Sequence, residues 1–95
     1  MGQTGRILTQ HPEGRAGGNI EQHKYEAMRT AILETLRARG PLRFKELTVA
    51  VKDQLQGKFD GSVSWYLTTV KLDLEARGEV ICNRKAGGQM VELVS

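Results

Sequence analysis

Cysteine, proline and aromatic residues are all scarce in this chain, and each shortage removes a class of protein. The single cysteine, Cys82, has no partner for an internal disulfide, which fits a reducing, cytoplasmic setting. No apolar run approaches the roughly 18–20 residues needed to span a bilayer, so no membrane partner is expected. The opening Met1-Gly2-Gln3-Thr4-Gly5-Arg6 lacks the continuous apolar stretch of a signal peptide. Arg6 also stands where a myristoylation signal carries Ser or Thr.

The chemistry of catalysis is equally thin. His11, His23 and Cys82 are far apart, with neither Cys-x-x-Cys nor His-x-x-x-His spacing, so no metal is expected. Ser62 and Ser64 have no evident histidine and acid to activate them, and Cys82 reads as a small packed residue in a strand. The glycines at 14, 17, 18, 87 and 88 are not followed by the Lys-Ser/Thr of a phosphate-cradling loop. No cofactor and no enzymatic activity are expected.

The 95 residues suit one domain with a modest core. The net charge is +3, and the basic excess is spread thinly. Residues 1–20, 21–40, 41–60 and 81–95 each carry +1, whereas residues 61–80 carry −1. Such a balance permits a nucleic-acid partner without requiring one.

Residues 1–19 hold five of the eleven glycines and few apolar side chains, and read as a flexible or loosely docked arm. From there a domain is expected over residues 20–95. Tyr25, Met28, Ile32 and Leu36 recur at three- and four-residue steps and predict a helix over about Ile20 to Arg39. Asn19 with Gln22 offers a capping box, Glu21 an alternative start, and Gly40-Pro41 a stop. After a short extended link, Pro41 to Phe44, a second helix is expected from Phe44 to Gln56 on the stripe Leu47, Val51, Leu55. Asp60 or Ser62 can cap a third helix, Ser62 to Arg77, whose inner stripe is Val63, Leu67, Val70 and Leu74. The segments 80–84 and 90–94 are rich in β-branched residues and flank Lys85-Ala86-Gly87-Gly88-Gln89, which predicts a hairpin. The fold class is therefore α+β: a winged helix-turn-helix with three helices, a C-terminal β-hairpin wing and an N-terminal arm.

The run Val70-Lys71-Leu72-Asp73-Leu74-Glu75-Ala76-Arg77-Gly78-Glu79-Val80 resembles a winged-helix third helix passing into its wing, with Leu74-Glu75, Gly78 and Val80 in the characteristic places. Together with Lys24-Tyr25-Glu26-Ala27-Met28-Arg29 and Ser64-Trp65-Tyr66, it resembles a family of small bacterial winged-helix proteins with no assigned function. The likeness covers about residues 20–82. It implies a fold and no activity.

In a helix-turn-helix the second helix of the motif enters the major groove, here the one starting at Ser62. Ser64, Thr68 and Thr69 are candidate contacts to bases or phosphates, and Lys71 to a phosphate. Arg84 and Lys85 at the wing tip are candidate phosphate or minor-groove contacts. Lys45, Lys52 and Lys58 add positive charge nearby. Against this, Asp73 and Glu75 share the helix, and Trp65 and Leu72, aligned on its outward side, are not usual groove residues. Three explanations for that apolar pair compete: cover by the arm through Ile7, Leu8 and Pro12, a second copy or another protein, or contact with nucleic acid. Duplex DNA is the first expected partner, and a protein docked on Trp65 and Leu72 the second.

Overall fold

The computed structural model describes residues 6–10, 16–59, 61–85 and 88–94. Among these the chain is α+β, with three helices and two small antiparallel sheets, a layout compatible with a winged helix. Strands β1 (Arg6–Gln10) and β2 (Ala16–Glu21) lead into helix α1 (Gln22–Arg39). The two-residue strand β3 (Leu42–Arg43) precedes α2 (Phe44–Leu55) and α3 (Val63–Ala76), and β4 (Val80–Lys85) with β5 (Gly88–Leu93) ends the fold.

The three apolar stripes meet in one core. Met28, Ile32 and Leu36 of α1, Leu47 and Val51 of α2, and Leu67, Val70 and Leu74 of α3 are all buried together with Val91 of β5. Local chemistry sets the helix ends. Glu46 in the first turn of α2 accepts the backbone N–H of Arg43 at 3.1 Å. Ser62 caps α3 as expected, its Oγ accepting the Trp65 N–H at 3.2 Å; Asp60, the other candidate, lies outside the described residues. Gly61 adopts φ +121°, and a Cβ there would fall 2.9 Å from Tyr66 Cε2, so the turn into α3 accommodates only glycine.

The expected C-terminal hairpin is present as β4 and β5, with Cys82 opposite Val91 and Val80 opposite Leu93. The extended link after Pro41 does more than connect. Its Leu42 and Arg43 pair with Val91 and Met90, adding a third strand in the order β3-β5-β4.

The N-terminal segment, expected as a flexible or loosely docked arm, has secondary structure of its own. Where it is described, it is an antiparallel hairpin with Ile7 opposite Ile20 and Leu8 opposite Asn19. Strand alternation puts Ile7 and Thr9 on one face. Ile7 packs on the core, and Ile20 and Thr9 are buried. The Thr9 hydroxyl accepts the Gly18 N–H at 2.6 Å and donates to the Gly18 carbonyl at 3.0 Å, replacing ladder bonds lost at an irregular register. Strand β2 crosses the boundary drawn at residue 20 and runs directly into α1. Because Asn19 to Glu21 are committed to that strand, the helix starts after Glu21, the alternative start, and not after Asn19.

Gly18 lets the hairpin lie close to α3. A Cβ at this position would stand 3.0 Å from Trp65 Cη2 and 3.4 Å from Thr69 Cγ2. Gly18→Val is expected to push the strand away from the helix at about 1–3 kcal/mol of stability, the usual range for overpacking. Denaturant unfolding should show the loss, and Trp65 emission should shift to the red. An unchanged midpoint and unchanged emission would mean that the ring simply yields.

Candidate interaction surface

The outer side of α3 carries most of the residues singled out from the sequence. Ser64, Trp65 and Thr68 are exposed there, and Thr69 and Leu72 are half-buried. The Thr68 hydroxyl donates back to the Ser64 carbonyl at 3.0 Å, so its proton is already engaged within the helix. Trp65 remains 50% exposed with the hairpin against it. Its ring meets Tyr66 edge-on at 5.0 Å, and Tyr66 meets Phe59 edge-on at 5.0 Å. The ammonium of Lys24 lies 5.3 Å from the Tyr66 ring centre. The cover foreseen for Trp65 is thus partial and comes through Gly18. Ile7 turns to the core, Leu8 is 62% exposed, and Pro12 lies outside the described residues.

Lys71 is not where a phosphate contact needs it. The residue is 2% exposed, and it is the only Lys or Arg within α3. Its Nζ donates to Glu75 Oε2 at 2.7 Å and to Gln89 Oε1 at 3.4 Å, and lies 3.8 Å from Cys82 Sγ and 5.2 Å from the Phe44 ring centre. The underside of the wing and the start of α2 close over it, so a residue at the flank of the helix becomes interior. The backbones of Arg84 and Lys85 pair with Gln89 and Gly88 near the hairpin turn, and their side chains lie outside the described set.

A second buried polar group ties α1 to α3. The Tyr25 hydroxyl donates to Asp73 Oδ2, and Arg77 Nε donates to the same oxygen at 2.8 Å. Arg29 pairs with Glu79 at 2.6 Å beside them, on a cleft of about 430 Å³. Burial, reinforced by the Asp73 hydrogen bond, holds the Tyr25 phenol well above its usual pKa. Among the described residues no buried side-chain polar atom lacks a partner, and each charge in this cluster meets an opposite one. The cluster clamps α1 to α3.

A concavity of about 710 Å³ lies where the end of α1, the solvent face of α2 and the first turn of α3 converge. Arg39, Val49, Ala50, Lys52, Val63 and Ser64 are among its lining residues. Sequence reading noted Lys52 as a cation and overlooked the groove. The available signal was Val49, an apolar residue on the side of α2 away from Leu47 and Val51; it is 64% exposed. Among the described residues, no group of His, Cys, Asp and Glu side chains could hold a metal, and no helix is long and apolar enough to cross a membrane.

Fold and surface together define a small α+β domain with internally paired buried charges and a partly apolar exterior groove. The chain belongs to the family of unknown function DUF6958, whose model matches residues 6–90 and therefore takes in the N-terminal hairpin with the helices and most of the C-terminal hairpin. The expected membership of a family without an assigned function is met. Neither the comparison with curated proteins nor that with solved structures returned a match.

Proposed function

We propose that this chain is a non-enzymatic winged-helix domain that docks a protein on the surface formed by the outer side of α3 and the adjoining groove. The observation that carries the reading is the character of α3. Its exposed side offers Trp65 with short hydroxyl side chains, while its one cation is buried in an ion pair. Reading a duplex in the major groove calls for exposed Arg, Lys, Asn or Gln on that helix. A half-exposed tryptophan edged by polar residues suits a protein interface, where aromatic anchors supply most of the binding energy. The hairpin lying against Trp65 and Thr69 also occupies space beside the helix.

DNA binding as an accessory or regulatory domain is the second reading. It draws on exposed cations outside α3, namely Lys45, Lys52 and Lys58. Trp65 is the only tryptophan and reports on both readings. Its fluorescence is expected to stay constant when random-sequence duplex DNA is added at low salt. A saturable change that high salt reverses would overturn the protein-docking reading, because counterion release marks phosphate binding.

A further inference from the structure

We infer that the groove between α2 and α3 takes an acidic amphipathic helix of another protein, an inference that rests on the protein-docking reading above. The floor is apolar: Val49 and Ala50 from α2 and Val63 from α3. Val49 stands near the middle of the solvent face of α2, with Lys45 four residues before it and Lys52 three after. Arg39 reaches the same groove from the end of α1. Neither Arg39 nor Lys52 has a carboxylate within salt-bridge distance among the described residues. The one acid in the lining, Asp53, is outnumbered by these two cations.

Charge and shape together choose the occupant. Phosphate alone would gain nothing from Val49, Ala50 and Val63, and a purely apolar segment would leave Arg39 and Lys52 unmatched. A helix with an apolar ridge between carboxylates meets both demands. The walls are mostly helical and no strand lines the groove, so strand addition is not the geometry on offer. A groove of this volume holds a few side chains of such a ridge.

The probe is a labelled synthetic peptide of about four helical turns, with Leu at i, i+4 and i+7 and Glu on both flanks. A second peptide carries Lys in place of Glu. Anisotropy titrations with the full chain are expected to show saturable binding of the acidic peptide, at least about tenfold tighter than that of the basic one. Val49→Asp should weaken it about tenfold or more, and Arg39→Glu with Lys52→Glu should reverse the preference between peptides. All three side chains line an open groove, so circular dichroism should find the variants folded. Equal binding of both peptides, or indifference to Val49→Asp, overturns the inference. Failure of the acidic peptide, together with self-association that Val49→Asp abolishes in sedimentation, overturns the acidic helix and leaves the docking reading intact. Salt-reversible binding of duplex DNA that the double charge reversal abolishes overturns both.

Discussion

Asp73→Ala is expected to destabilise the domain by about 1–3 kcal/mol, because it leaves the buried Tyr25 hydroxyl without its acceptor and Arg77 without its counter-charge. Asp73 is fully buried, and its Oδ2 receives both the Tyr25 hydroxyl and Arg77 Nε. Without the carboxylate, the phenol loses its acceptor in the interior and the guanidinium loses its counter-charge. Small domains have roughly 5–15 kcal/mol in hand, so the variant should fold but with a clearly lowered midpoint. Urea or thermal unfolding measures this directly. A loss below about 1 kcal/mol, the median scale of surface ion pairs, would mean that the cluster is solvated in solution. The same cluster predicts a pH dependence. Because the Tyr25 pKa is raised on folding, its contribution is fully present below about pH 10, the unfolded value, and declines as pH rises further. Tyr25→Phe should therefore flatten the alkaline limb of the stability profile relative to the wild-type chain.

Lys71→Ala carries the second large expectation, about 3–5 kcal/mol of stability for the same reason: Glu75 would keep its charge with little solvent to replace the partner. The two side chains are 3% and 10% exposed at 2.7 Å separation. Replacing both by apolar residues of similar volume, Lys71→Met with Glu75→Leu, should restore most of the loss, since the space beneath the C-terminal hairpin then holds no charge. The measurement separates two roles. A phosphate-contacting lysine, once removed, would lower the salt slope of nucleic-acid binding and leave stability nearly unchanged. An internal one does the opposite. A Lys71→Ala chain as stable as wild type would return this residue to the surface.

The helices were legible because periodicity at three and four residues is enforced by burial. Met28, Ile32, Leu36, Leu67, Val70 and Leu74 all lie where their spacing puts them. Residues just off a stripe were not legible in this way. Lys71 and Asp73 stand on opposite flanks of the α3 stripe, and their burial is decided by what lies opposite: the wing and Phe44 for one, Tyr25 and Arg77 for the other. A helical wheel contains no information about those neighbours. The N-terminal hairpin was hidden for a different reason. Its glycines signal turns, and only Ile7, Leu8 and Ile20 stand out as large apolar residues in its strands. Its stability draws on the Thr9–Gly18 bonds and on the closeness of Gly18 to Trp65, both of which exist only once α3 is in place. The groove was half legible. Lys52 was noted for its charge, but Val49 becomes informative only when the other walls are known.

The pairing of Leu42 with Val91 has a consequence for the route by which this chain folds. Hairpins β1–β2 and β4–β5 join residues that are near neighbours in sequence, and each helix packs on the next along the chain. The contacts of β3 with β5 are the described strand pairs that reach across about half the chain. Loop-closure entropy penalises that pairing more than either hairpin, so it should form after the hairpins. Leu42→Ala would then speed unfolding far more than it slows folding, and the C-terminal hairpin would take its place beside β3 late in assembly.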